Sequence, residues 1–172
     1  MNNYLSTALL TAALAFSLAG CDPQTSEEPG GTQVEKMAGR WEVTLDGLDA
    51  EGNVIERDPL GYGVVTIMTY NTTADTPAEM WLDDDGMAFA QAVRVDVDYA
   101  ARTFSMDEIP VSSGDNVMGT VSVRGKVLEG AARNLHGMPN DSIVYEMRLS
   151  DPAGTKTKAF RVSGQRYTGF YE

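Results

Sequence analysis

The sequence has one cysteine and one histidine in 172 residues. A lone cysteine excludes an internal disulfide, and one cysteine with one histidine leaves zinc without a ligand set. Basic residues are scarce: 13 Lys and Arg stand against 25 Asp and Glu, a formal net charge of −12. A surface of that sign repels nucleic acid and anionic lipid headgroups, which need a positive field, and it favours solubility. No apolar run is long enough to cross a bilayer as a helix. The run from Leu5 to Leu18, apolar apart from Ser and Thr, has 14 residues, against about 20 needed for a hydrocarbon core of roughly 30 Å. No segment sustains a helical period, no unit repeats at solenoid spacing, and no G-x-S-x-G nucleophile elbow occurs.

The apolar run suits the central region of a secretory signal. It closes on Leu18-Ala19-Gly20-Cys21, a small-residue site ending in cysteine that resembles the lipobox of bacterial lipoproteins. That resemblance implies that residues 1–20 are a removed signal peptide and that Cys21 becomes the N-terminus with lipid on its sulfur. The protein is then expected on the bacterial envelope, held to the outer membrane by its lipid and facing the periplasm or the cell surface. Each buried methylene of such an anchor contributes about 0.8 kcal/mol. Met1-Asn2-Asn3-Tyr4 departs from the usual signal pattern in carrying no Lys or Arg. Residues 21–33, after the cysteine DPQTSEEPGGTQ, are polar, acidic and rich in Pro and Gly, the composition of a tether. Glu27-Glu28 reads either as an acidic export signal of the kind found in Bacteroidetes surface lipoproteins or as part of an ordinary linker. Residues 34–172 are the size of one domain.

Alternation of apolar and polar residues recurs through this domain, the period of a strand with one buried face. Trp41, Val43 and Leu45 alternate with charged and polar neighbours, as do Val93, Val95, Val97 and Tyr99, and Ile143, Tyr145, Met147 and Leu149. Weaker strands are expected over 63–70, 78–82, 102–106, 117–128 and 155–162, with Val34 to Met37 making one helical turn. Turn chemistry separates them at 49–53, 83–86, 98–101, 139–141 and 151–154. Eight antiparallel strands joined mostly by tight turns predict an all-β, up-and-down barrel, which leaves no open edge. A two-sheet sandwich is the fallback. Gly119, Gly125 and Gly130, in or beside one long strand, are expected to mark bulges or bends.

Gly39-Arg40-Trp41 opens the first strand just after the helical turn and is similar to the G-x-W signature of lipocalins and other calycin barrels. In that family the tryptophan plugs one end of the barrel and an arginine from the last strand packs on its ring. Arg161 and Arg166 are the candidates. A closer resemblance comes from the run Gly30 to Thr44, from Asp49-Ala50-Glu51-Gly52-Asn53-Val54, and from Thr69-Tyr70-Asn71-Thr72 with Glu79-Met80-Trp81. These segments resemble the Bacteroidetes lipoproteins named lipid-binding putative hydrolases. The resemblance implies a calycin-like barrel on the envelope and brings no catalytic residues with it.

For chemistry the residues offer little. His136 lies in a loop with Asp141 and Ser142 nearby in sequence, and a triad needs members converging from separate elements. Carboxylates are abundant, but most alternate outward or sit in turns. Asp83-Asp84-Asp85-Gly86 has calcium-type oxygens without the spaced loop or closing glutamate, and a hairpin tip accounts for it equally. No cofactor and no metal are expected. An eight-stranded barrel has room for one small ligand, and Met68, Met80, Phe104, Met106, Val95, Val121, Tyr145 and Met147 are the expected inward lining. The same side chains equally serve to fill the barrel. The reading is a small apolar or amphipathic ligand held without chemistry. A docking subunit for an envelope protein is the runner-up and a hydrolase is third.

Overall fold

The computed structural model describes residues 31–113 and 116–169. The expected signal peptide, the lipidation site at Cys21 and most of the tether lie outside the described residues.

Nine strands follow in chain order: β1 (Gly39–Leu48), β2 (Val54–Arg57), β3 (Val65–Asn71), β4 (Glu79–Asp83), β5 (Val93–Asp98), β6 (Thr103–Ser113), β7 (Asn116–Arg133), β8 (Pro139–Ser150) and β9 (Thr157–Arg166). Every pairing is antiparallel. β1 and β3 to β9 pair in succession, and β1 then pairs β9 from Trp41↔Arg166 to Leu48↔Ala159, which closes an eight-stranded up-and-down barrel. β2 is a ninth strand that the periodicity does not announce. It forms a hairpin on the far end of β1, from Asp46↔Arg57 to Leu48↔Val54. Its exposed Ile55, Glu56 and Arg57 show no buried face, so no alternation marks it. The hairpin turn creates it: the Asp49 carboxylate accepts from the Glu51 and Asn53 N–H groups at 3.1 and 2.7 Å. As a short, charged edge outside the ring, β2 is a poor template for aggregation.

Three other expectations change in detail. Pro139, Asn140 and Asp141 begin β8 instead of making a turn. Proline is tolerated at the first residue of a strand, where no ladder donor is needed. The reversal sits at Asn134–Met138, where the Asn134 side chain accepts from the N–H groups of His136 (3.1 Å) and Met138 (2.9 Å). Gly119 and Gly130 have positive φ and lie beside register shifts of β7. Gly125 marks no bulge. A Cβ there would collide with Phe104 and Tyr145, whose rings meet edge to face across this position with centroids 6.0 Å apart. Val34 to Met37 is a hydrogen-bonded turn, with Met37 and Ala38 N–H both donating to the Val34 carbonyl at 2.8 and 2.9 Å.

That turn seals one end of the barrel, burying Val34 and Met37 completely under Trp41. Trp41 Nε1–H donates to Thr69 Oγ1 at 2.8 Å, and the Thr69 hydroxyl donates to the Met37 carbonyl at 2.6 Å, which ties β1, β3 and the turn together. The Arg166 guanidinium lies 4.4 Å from the Trp41 ring centroid, a favourable cation–π geometry. It also donates to the carbonyls of Ala38 and Lys36 and pairs with Asp141 at 3.2 Å. A Cβ at Gly39 would meet Arg166 Nη1, so a larger residue there would displace the guanidinium from its present place. The two named residues of the G-x-W pattern thus have local physical roles: Trp41 fills the end and Gly39 leaves room for its arginine.

Two substitutions test this packing. Trp41→Ala, which leaves a large void among wholly buried neighbours, is expected to lower stability by about 3 to 5 kcal/mol. Gly125→Ala, which overfills the Phe104–Tyr145 contact, is expected to cost about 1 to 3 kcal/mol. Urea unfolding followed by tryptophan fluorescence and circular dichroism measures both, and an unchanged midpoint in either variant contradicts the packing described.

Candidate functional site

The barrel has one end closed by Trp41 and a second end with a different construction. The inward positions between them are almost all apolar. Met80, Val95 and Val121 are 0% exposed, and Tyr145, Phe104, Met147 and Met106 are buried at 1%, 3%, 3% and 5%. A side chain that exposes no surface has no water-sized space against it, so the interior around Met80, Val95 and Val121 is filled. Of the eight residues expected to line the interior, Met68 is not there: it is 44% exposed, on the outer face of β3. The inward face of β3 is Val65, Ile67 and Thr69, and its polar member Thr69 is inside because it serves Trp41.

At the second end the β4–β5 loop folds over the opening. Phe89 is 5% exposed and packs, with Met87 and Ala88, against the core. What holds this loop is a buried carboxylate. Asp84 is 1% exposed and accepts from the N–H groups of Ala88 at 2.7 Å, Gly86 at 3.2 Å and Phe89 at 3.3 Å. Burial raises its pKa above the ordinary carboxylate value against the opposing pull of these N–H donors, and the neighbouring Asp83 adds to the rise. The aspartate run is therefore a loop clamp built on backbone donors. Among the described residues no three His, Cys, Asp or Glu side chains gather as a metal ligand set.

Beside the loop lies a cleft of ≈ 200 Å³, between Ala88, Phe89, Ala90 and Gln91 on one side and Val93, Ile109, Pro110 and Val111 on the other. All but Gln91 are apolar. Its volume falls short of the roughly 300–1,000 Å³ of a typical small-molecule pocket. A broader groove of ≈ 490 Å³ crosses the outside of β5–β7, where Asp96, Asp98, Thr103, Ser105 and Arg124 set charged and polar groups beside Val97 and Phe104.

Tyr145 sits within the barrel, and its hydroxyl has no hydrogen-bond partner among the described residues. Its pKa is raised by burial first and by the Asp84 charge second, so the phenol stays protonated. Alternation places Tyr145 inside; Asp84 stands out in the sequence only as part of a run read as calcium-type oxygens or a hairpin tip, and Phe89 does not stand out. Only the apolar Met87-Ala88-Phe89-Ala90 as a whole, inside an acidic loop, signals this end of the barrel.

The outer face is divided. In register, Arg124, Glu146, Arg161, Asp46 and Arg57 form a transverse row across β7, β8, β9, β1 and β2. Arg161 pairs with the buried Asp46 at 3.0 Å and so does not join Arg166 at Trp41. Such a charged row, with Asp46 buried between Arg57 and Arg161, is unlike the apolar outer band of a membrane-spanning barrel. Beside this row, on β2, β3 and the loop between them, lie six of the nine large apolar residues that are exposed among the described residues, Ile55, Leu60, Tyr62, Val64, Met68 and Tyr70. Tyr70 faces the half-buried Trp81 across β3 and β4.

His136 lies exposed in the β7–β8 turn. Asp141 is bound to Arg166 and to the Gly130 N–H, and the Ser142 hydroxyl donates to the Gly164 carbonyl at 2.7 Å. Asp141 and Ser142 thus secure strands to one another.

No curated protein matches this sequence. A crystal structure of a protein of unknown function from Bacteroides ovatus is 13% identical, covering 78% of this chain and 43% of that one, with a TM-score of 0.44. The chain thus spans less than half the length of that relative. The sequence pattern of the lipid-binding putative hydrolase family matches residues 26–171, the whole of the described barrel, and the chain belongs to that family.

Proposed function

We propose that this protein binds one small apolar or amphipathic, lipid-like molecule inside the barrel, that the ligand enters past the β4–β5 loop, and that no covalent chemistry follows. The observation that carries this reading is the second end of the barrel. There Phe89 is held over an apolar interior by a single buried carboxylate, beside a cleft too small to be the whole site. Family membership supports a lipid as the ligand. The filled interior does not oppose the reading, because methionine is unbranched and re-packs readily around a guest. Met80, Met106 and Met147 supply that adaptability, and Phe89 leaving the opening supplies the space.

We further propose that the barrel works as a tethered body, lipid-anchored through Cys21 to the outer membrane of a bacterial envelope. The lipobox-like Leu18-Ala19-Gly20-Cys21 and the acidic segment after it support this placement.

A second reading is a docking subunit for another envelope protein. It is favoured by the apolar segment from Ile55 to Tyr70 on the outer face, because exposed apolar groups concentrated on one flank mark interaction surfaces.

Native mass spectrometry of the full chain carrying Cys21→Ser, offered a mixture of fatty acids, esters and neutral lipids, is expected to retain a one-to-one adduct. No adduct under any condition overturns the ligand-binding reading in favour of docking. Phe89→Ala is expected to speed ligand entry by about tenfold, the factor that corresponds to about 1.4 kcal/mol of lost loop contact.

Asp84 gives a pH test. A carboxyl whose pKa is raised in the folded chain binds its proton more readily there than when unfolded. Its ionised form therefore costs stability above that pKa, and the cost is relieved as pH falls through it. The melting temperature of the wild type relative to Asp84→Asn is expected to rise from neutral pH down to the ordinary carboxylate pKa and to level off below it. A difference independent of pH contradicts the role given to Asp84.

For the anchor, metabolic labelling with an alkyne-bearing fatty acid in a bacterial host is expected to tag the wild-type chain and not Cys21→Ser. Equal labelling of both removes the anchoring proposal.

A further inference from the structure

The barrel interior contains a hydrogen-bond donor with nothing to donate to. Tyr145 is 1% exposed, and its hydroxyl has no partner among the described residues. Buried hydroxyls are normally paired, and a phenylalanine would fill the same place without an orphaned group. The ring cannot swing the hydroxyl out to water. It is packed edge to face on Phe104, and Gly125 beneath the pair leaves no slack, since even one methyl group there would collide with the Phe104 ring and with Tyr145 Cβ.

The charge around this donor is one-sided. No Arg, Lys or His is buried among the described residues. Arg166 lies beyond Trp41, committed to the Ala38 and Lys36 carbonyls and to Asp141, and Arg161 faces Asp46 on the outside. The carboxylate of Asp84 is buried at the entrance and is held by N–H groups without a cation. It is near enough to Tyr145 to oppose ionisation of the phenol, which remains a donor.

We propose that Tyr145 donates its hydrogen bond to an uncharged acceptor, an ester, amide or ether oxygen, on an otherwise apolar ligand, and that the barrel selects neutral lipids over ionised ones. An ionised headgroup taken into this interior would lose its hydration, meet no counter-charge and lie in the field of Asp84, a large penalty in a medium of low dielectric. A pure hydrocarbon would avoid that penalty but leave the donor unpaired, which a site built around a donor discriminates against. An ester or amide avoids both costs. This inference rests on the reading of the interior as the binding site.

Three probes of matched chain separate the alternatives: methyl dodecanoate, dodecane, and dodecane sulfonate, which is ionised at every working pH. Each is titrated by native mass spectrometry against the full chain carrying Cys21→Ser, with and without Tyr145→Phe. The expected result is retention of the ester at least about tenfold above dodecane and sulfonate. In Tyr145→Phe the ester should fall to the level of dodecane. That variant is expected to fold with an unchanged or raised melting temperature, because it loses only an unpaired hydroxyl. Sulfonate retained as well as the ester overturns the selection for neutral ligands. An ester preference that survives Tyr145→Phe overturns the assignment of Tyr145. If neither protein retains any probe, the interior is not a lipid site, and this inference falls together with the reading beneath it.

Discussion

Closure of the sheet governs this molecule. Once β1 pairs with β9, eight strands enclose an interior of fixed circumference, and each inward position must be apolar, satisfied by a local partner, or functional. The inward residues sort into those three kinds. Trp41 and Thr69 pair with each other at the closed end, Asp84 is satisfied by backbone N–H groups at the other, and aliphatic and methionine side chains fill the space between. Tyr145 is the exception that fits neither of the first two kinds. In a closed ring such an exception has no solvent to turn to, which is why it carries functional weight.

Much of this was legible in the sequence, and for a definite reason. In β1, β5 and β8 the residues that must face inward are also the apolar ones, so periodicity, face and burial agree. In β3 they disagree. Its inward set includes Thr69, required by the Trp41 indole, and its outward set carries Met68 and Tyr70. Hydrophobicity alone then chooses the wrong face, and because the side-chain period of a strand is two, a one-residue error in phase inverts every assignment in it. β2 was invisible because it buries no face. The beginning of β8 at Pro139 is hidden in the sequence because Pro139-Asn140-Asp141 is a turn-forming triplet, while the real reversal is made by the Asn134 side chain.

The candidate site was half legible. The interior members, Met80, Val95, Phe104, Met106, Val121, Tyr145 and Met147, follow from alternation. The entrance does not, because the Asp84 clamp is a set of contacts between a side chain and backbone groups up to five residues on, with no periodic signature. The arginine over Trp41 shows the same limit from another side. Two arginines were compatible with the pattern, and the choice of Arg166 depended on register: it lies directly opposite Trp41 across the β1–β9 pair, whereas Arg161 lies opposite Asp46. Charge complementarity between neighbouring strands then determined the partner of each.

The Arg166 contact also bears on how the chain reaches its folded state. It joins the Ala38 carbonyl to a guanidinium 128 residues away, so the two strands that seal the ring are the first and the last of the described strands in chain order. Local hairpins from β3 to β8 can form as they appear, but the seam itself waits for nearly the complete domain. Folding dominated by such distant contacts is slow. Throughout that interval one side of β1 remains an unpaired edge able to recruit other chains. The seam that makes the finished barrel edgeless therefore makes the unfinished one vulnerable, and a cellular holdase acting before β9 is available would have its largest effect on yield.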